Sequence, residues 1–472
     1  MEVLQRTANR GSIPTGPAYE IGNSIKFESA NTESLTKSQT ASNRRTWTLS
    51  FWFKKTKVDS ALQYIFQSVV NSSTTFDLFA NGTTDWRVYE YVSGSRNIAF
   101  YSTVPLTDPS AWYHLVIACD TTQSSAADRF KIYLNGEDLT AVSGYFSTAA
   151  YPAQNYETHI NNSAATLSIG KSTSASTNLC GYISELNFVD GLMKDEEDFG
   201  KYDHNGIWHP IEYTGSYGDE GYFLDFADAG DLGDDESGNG KDFTENNIAA
   251  ANQANDTPTN NFCTMNPLWT YANAQVISEG GTKTLHNAST WAGAKASFGV
   301  TRGKWYWEYK TISGNGTDVI IGIQTDEGVA LTGNAHNIIS TAAWYIGGEF
   351  WVKDATNGRN SVDVTINSTA SHNHTYGFTL DMDSSPQRIS VYQNNSVINA
   401  GDNINIDGLG GKTVFPFAAC YATNGITFNL GGCTISSISS AATDANGYGT
   451  FEYAPPSGFY AICTKNLAQY GG

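Results

Sequence analysis

From Trp112 to Cys119 the chain reads WYHLVIAC. Alternation places Trp112, His114, Val116 and Ala118 on one face of a strand and Tyr113, Leu115, Ile117 and Cys119 on the other. Both faces carry apolar groups, so the strand belongs inside a sheet that is packed on something. The polar run Asp120 to Asp128 buries too little apolar surface to form an element of its own. Phe130 to Leu134 (FKIYL) then returns as a second strand ended by Asn135-Gly136, which predicts a long antiparallel hairpin closed by an NG turn.

The same period of two recurs upstream. NSIKFE (Asn23 to Glu28) is the first strand. Trp47 to Phe53 sets Trp47, Leu49, Phe51 and Phe53 on a core face and Thr48, Ser50 and Trp52 on the other. Tyr64 to Val70, Thr75 to Phe79 and Trp86 to Val92 follow as short strands with turn chemistry such as Asn81-Gly82 between them, and YFLDF (Tyr222 to Phe226) has strand character. This rhythm is that of an antiparallel sandwich. A second series begins at GKWYWEYK (Gly303 to Lys310), with Trp305, Trp307 and Tyr309 on one face and Tyr306 and Glu308 on the other. It continues through DVIIGIQTDEG (Asp318 to Gly328), YGFTLDMDSSPQRISVYQNNSVI (Tyr376 to Ile398) and FPFAACYATNGITFNLGG (Phe415 to Gly432).

Three segments, RRTWTLSFWFKK (Arg44 to Lys55), the Trp112 hairpin with KIYLNG, and LSIGKSTSASTNLCGYISELNFVDGLMKDEE (Leu167 to Glu197), stand in the order of the concanavalin A-like, laminin G-like jelly roll, which the first half resembles. The second half is similar to SPRY domains from about Cys263 to Cys433, with Asn394-Asn395 standing where that family has an NG turn. These resemblances imply an all-β chain of two antiparallel β-sandwiches. The expected layout is an N-terminal arm at 1–22, a laminin G-like sandwich at 23–226, an acidic and Asn-rich linker at 227–262, a SPRY-like sandwich at 263–433 and a tail at 434–472 with one further strand near Gly458 to Cys463. SPRY domains as a class are recognition modules without a catalytic site, so this resemblance implies binding.

The length of 472 residues exceeds what one core usually supports. Aromatics at 13% with charged residues at 16% describe a folded, β-rich chain whose surface is made polar by Ser, Thr, Asn and Gly. A net charge of -20 repels phosphate backbones and anionic headgroups, which argues against nucleic acid and membrane surfaces as partners. The stretch MEVLQRTANRGSIPTG lacks the apolar core of a signal peptide, and no apolar run is long enough to span a bilayer. Six cysteines without CxxC spacing give zinc and redox chemistry no support, and Cys119 and Cys420 read as small buried hydrophobes.

Candidate chemistry is sparse. In ADAGDLGDDESGNGKDFTENN, residues Asp228, Asp231, Asp234, Asp235, Asn239 and Asp242 supply hard oxygen ligands among glycines, the donor set calcium requires; the other reading is a solvated, turn-rich linker. EF-hand spacing is absent. His372 and His374 form an H-x-H pair that a threefold axis would gather around one transition metal, or two loop histidines in solvent. Trp344, Tyr345 and Trp351 are candidates for stacking on a pyranose, although a tryptophan in an alternating strand is commonly core. For a glycosidase the paired carboxylates are missing: Glu196-Glu197-Asp198 is followed by Lys201 where the last acid belongs. No G-x-S-x-G, HExxH or phosphate-cradling loop is present.

The order of domains and the ending PSGFYAICTKNL are similar to virion proteins of tailed bacteriophages. That similarity implies an extracellular particle as location, other virion subunits and a host-surface glycan or receptor as partners, and a homotrimer by analogy with fibres. The expectation is a non-enzymatic appendage or fibre protein. The alternatives are a decoration or adaptor protein that contacts only other subunits, and a glycan-degrading enzyme.

Overall fold

A computed structural model describes residues 19–173, 177–270, 276–286, 288–313, 318–327, 339–346, 348–353, 364–366, 374–422, 424–433 and 438–471. The chain divides into two compact units, one ending at Thr259 and the other beginning at Asn260. Each is a β-sandwich, and among the described residues the strands pair antiparallel apart from one short parallel pairing in the second unit; the first adds an isolated parallel bridge between Tyr64 and Asn178.

In the first unit one eight-stranded sheet runs in the order Glu137–Asp138, Phe130–Leu134, Tyr113–Asp120, Thr46–Lys55, Gly181–Asp190, Ser24–Phe27 and Gln253–Ala254, with Tyr222–Leu224 also paired to Gly181–Asp190. The second runs Phe146–Ala150, Ser95–Ser102, Asp85–Val92, Thr74–Asn81, Leu62–Asn71, Thr166–Ile169, Ser34–Ser38 and Thr244–Asn246. Between them lie Trp47, Leu49, Phe51 and Phe53 from one sheet and Phe76, Leu78, Trp86 and Val88 from the other. Trp47 meets Phe76 edge-on at 5.6 Å, a geometry that sets the positive ring edge against the negative face. Tyr113, Leu115, Ile117 and Cys119 join this core, whereas Val116 faces a smaller cluster with Val189, Phe199 and Tyr213 on the other side of the sheet. The two apolar faces of that strand thus each have a partner.

Two expectations are corrected here. The strands Tyr113–Asp120 and Phe130–Leu134 do pair, but residues between them close that hairpin; the Asn135-Gly136 turn joins Phe130–Leu134 to the short strand Glu137–Asp138. Both turn residues have positive φ, 50° and 79°, as a two-residue hairpin loop demands. The stretch from 227 to 259 is not a linker. It supplies two edge strands, buries Leu232 and Phe243 in the core, and sends Asp256 to Lys54 at 2.7 Å with both side chains inaccessible. Its acidity hides sparse apolar anchors that are enough to dock it.

In the second unit a seven-stranded sheet has the order Met265–Thr270, Trp291–Ala296, Val414–Tyr421, Val319–Thr325, Thr341–Tyr345, Glu349–Lys353 and Val364–Thr365. It packs on a nine-stranded sheet whose middle is Gly425–Asn429, Lys304–Ser313, Tyr376–Asp381 and Arg388–Gln393. Trp305, Trp307 and Tyr309 face the core, and Tyr306 turns outward onto Phe451 at 5.2 Å. The tail is part of this unit. Tyr460–Ala461 lies parallel to Lys304–Ser313, and the helix Thr464–Tyr470 returns to stack Tyr470 on Tyr460 at 4.0 Å.

Candidate functional site

The sheet of the first unit that contains Leu62–Asn71, Thr74–Asn81, Asp85–Val92 and Ser95–Ser102 turns one set of residues into the core, including Phe76, Leu78, Trp86, Val88, Ile98 and Phe100. The alternate residues therefore stand on the outer face. Cross-strand register aligns them in rows. One row runs Thr244, Thr36, Ser168, Gln67, Asp77, Tyr89 and Ala99, crossing seven strands, roughly 30 Å at the ordinary strand spacing. A neighbouring row runs Tyr64, Phe79, Arg87, Tyr101 and Thr148.

One half of this face is aromatic. Tyr64 stacks on Phe79 at 4.9 Å, Phe79 meets Tyr89 edge-on at 5.6 Å, and Tyr89 meets Tyr101 at 6.5 Å. The Arg87 guanidinium lies 4.6 Å from the Tyr101 ring, and that of Arg96 lies 5.2 Å from Tyr89 and 5.9 Å from Tyr101. The other half is hydroxyl and amide. There an open groove of about 590 Å³ is lined by Ser34, Thr36, Ser168, Lys171, Thr173 and Asn246 among others.

Gln67 and Asp77 join the halves. Thr173 donates to Gln67 Oε1 from its backbone N at 2.8 Å and its hydroxyl at 3.1 Å, so the Gln67 amide nitrogen points to Asp77 Oδ1 at 2.5 Å. The Thr75 hydroxyl donates to the other oxygen of Asp77 at 2.5 Å. Burial pushes the Asp77 carboxyl up, and the hydrogen bonds from Thr75, Gln67 and Tyr89 oppose that shift. Gln67 and Asp77 are themselves buried, so this network braces the face from within. Tyr64 and Phe79 are buried, so stacking is open only at the half-buried rings of Tyr89 and Tyr101; an extended polar ligand can stack there and hydrogen-bond in the groove at the other end. Its carboxylates are engaged in holding the protein: Asp77 as described, and Glu245 by accepting from the Leu232 backbone N at 2.7 Å.

The residues singled out from the sequence lie elsewhere. Trp344 points into the second core and meets Tyr376 edge-on at 5.3 Å, fully buried. Alternation sends Tyr345 and Trp351 to the opposite face, where they stack at 6.0 Å among Trp291 and Phe417; Trp351 is 2% exposed. The expected sugar contact through Trp344 and Trp351 is corrected, because neither indole offers a face to solvent. Tyr345 is half-buried and donates to Asp318 Oδ1 at 3.0 Å.

The calcium expectation also fails the geometry. Asp235 accepts from the backbone N of Phe223, Ser237 and Lys241, while Asp228 and Asp231 each accept from the backbone N two residues on. Asn239 donates its amide to the carbonyls of Gly218 and Gly221. Asp234 stays exposed on the outside of the turn. These side chains fold a chain of tight turns, and among the described residues no three His, Cys, Asp or Glu side chains group as metal ligands. His372 lies outside the described residues; His374 is half-buried and within 2.7 Å of Gln393 Nε2.

The outer face escaped the sequence reading because its strands were recognised only for their rhythm. The signal was in TFDLFAN and DWRVYEYV, where the residues between the core positions are Thr75, Asp77 and Phe79, then Arg87, Tyr89 and Tyr91. Aromatic and charged groups on the phase opposite the core mark a second structured face.

Residues 28–197 match the family described as the concanavalin A-like lectin/glucanases superfamily. Among solved structures, the chain is similar to the SPRY domain of human HERC1 (16% identity, 37% of this chain and 99% of that one, TM-score 0.27). It is also similar to domains LG4-5 of the mouse laminin alpha1 chain (10% identity, 89% and 91%, TM-score 0.30). A third is the heptameric SAP-like pentraxin of Limulus polyphemus (16% identity, 38% and 80%, TM-score 0.28). No curated protein matches the chain.

Proposed function

We propose that this protein binds a surface glycan without turning it over, through the outer face of the Leu62–Asn71, Thr74–Asn81 and Asp85–Val92 strands. One observation carries the reading: the half-buried rings of Tyr89 and Tyr101, flanked by Arg87 and Arg96, stand on the same sheet face as a groove of hydroxyl and amide groups. Pyranoses present an apolar face to stack and equatorial hydroxyls to hydrogen-bond, which matches that division. The match of this unit to a lectin and glucanase superfamily supports the same reading. Binding rather than hydrolysis is favoured because, among the described residues, the face carries no pair of free carboxylates set across a cleft.

The protein is, in this reading, a virion appendage of a tailed bacteriophage that contacts other virion subunits and a host-surface glycan and assembles as a homotrimer. Support for that part comes from the order of its two sandwiches and its C-terminal wording. A glycan array with the full chain, run with and without chelator, tests the binding. Retention on defined glycans that is insensitive to chelator and lost in Tyr89→Ala agrees; no retention on any glycan refutes it. An antibody against the chain that fails to label purified particles would refute the virion assignment, and sedimentation at the mass of one chain would refute the trimer.

A further inference from the structure

We infer that the ligand of this face is an anionic polysaccharide, one whose sugars carry carboxylate or sulfate groups; the inference rests on the glycan reading above. Its basis is the pair of arginines at the aromatic end. Arg96 is exposed, its guanidinium lies against Tyr89 and Tyr101, and among the described residues it makes no hydrogen bond and no ion pair. Arg87 spends Nε on Asp85 Oδ2 at 2.6 Å, and its guanidinium lies 4.6 Å from the same Tyr101 ring. Asp85 balances one of the two cations within 6 Å of that ring, and the other, Arg96, has no counterion among the described residues.

A guanidinium resting near aromatic rings is restrained before it pairs and so loses less entropy on pairing. Its planar fork matches the two oxygens of a carboxylate or sulfate. Bare point-charge attraction is not sufficient here, because the chain carries -20 and its field opposes anions at long range. The contact must therefore be made at short range by these arginines while rings and hydroxyls hold the sugar. Lys171, on the groove at the far end of the face, offers a second cation to a chain that spans both halves.

The test uses the full chain in affinity gel electrophoresis and calorimetry against polygalacturonate, dextran sulfate and neutral dextran, each also with Arg96→Gln and Arg87→Gln. Expected are binding to at least one acidic polymer, little to the neutral one, and about a tenfold loss for Arg96→Gln, with melting temperature unchanged. Preference between polygalacturonate and dextran sulfate identifies which anion is read, and either one supports the inference. Equal binding of the neutral polymer, or acidic binding unmoved in both variants, overturns the anionic ligand while leaving glycan binding standing. Failure to bind any glycan here and on the array overturns both.

Discussion

Trp208 donates its indole Nε1–H to Nδ1 of His114 at 3.0 Å. An indole can only donate, so Nδ1 is the accepting nitrogen and the imidazole proton resides on Nε2. Nε2 in turn lies 2.9 Å from the hydroxyl of Ser50 and must donate to it. A serine beside a histidine at that distance would suggest a nucleophile and its base. Here the histidine has no lone pair facing the serine, is 1% exposed, and stacks on Trp52 at 4.7 Å. The relay is structural and locks the strand Tyr113–Asp120 to Trp208.

Burial pushes the His114 pKa down from 6.5 to about 3. The unfolded chain takes its proton first, so the stability this site contributes is present above pH 6.5 and lost as the pH falls toward 3. Urea denaturation between neutral and acid pH should show a slope that His114→Gln reduces by on the order of 3–5 kcal/mol over the whole range. An unchanged slope in the variant contradicts the assigned tautomer and burial.

Glu185 has the opposite sign. It lies in the bulged strand Gly181–Asp190 at φ 53°, accepts the Tyr19 hydroxyl at 2.6 Å, and is raised to about 7, chiefly by burial. The folded state holds this proton more tightly, so its contribution is full below the ordinary carboxylate range and is lost as pH rises through 7. Glu185→Gln should flatten that decline, gaining about 2 kcal/mol over the native chain at pH 8 relative to pH 5. Parallel pH profiles for the two proteins would rule this out.

The buried pair of Lys54 and Asp256 should behave asymmetrically. Trp112 Nε1 also donates to Asp256, at 3.1 Å. Asp256→Ala leaves an ammonium buried without its counterion and should cost about 3–5 kcal/mol, whereas Lys54→Met with Asp256→Leu should recover most of that loss. Chemical denaturation of the three proteins decides. A double variant no better than the single one would mean that packing, not charge, dominates the site.

Gly136 sets a geometric test. A Cβ there would sit 2.3 Å from the Trp208 ring, and the residue has φ 79°. Gly136→Ala should destabilise by about 2 kcal/mol or more, from strain and overpacking together, while Gly144→Ala, with open space around it at φ 77°, carries only the backbone term. Equal melting temperatures for the two variants would contradict the clash.

Glu308 ties the C-terminal segment to the second sandwich. Its carboxylate accepts from the Tyr306 hydroxyl, the Asn429 amide and the backbone N of Glu452 and Tyr453, all within 3.0 Å. Glu308→Ala should speed proteolytic cutting near Glu452 at least severalfold by raising local opening, read by mass spectrometry of the fragments. No change in cutting rate would show that Tyr460–Ala461 and the final helix hold the tail unaided.

Period-two alternation of large apolar residues determined the fold class, because a strand with Trp47, Leu49, Phe51 and Phe53 on one phase has no way to bury them except in a layered sheet. It also determined the core faces at Trp305, Trp307 and Tyr309. Two things were decided only by tertiary pairing. The acidic stretch after Ala227 became edge strands because Thr244, Ala254 and Asp256 found Thr36, Ser24 and Lys54 far earlier in the chain, and local composition carries no record of them. The outer aromatic face arose because four strands, whose outward residues look unremarkable singly, came into register so that Tyr64, Phe79, Arg87, Tyr89 and Tyr101 stood together. Alternation fixes which residues share a face of one strand; which strands lie side by side is set by long-range pairing, and a surface that spans several of them exists only once that pairing is made.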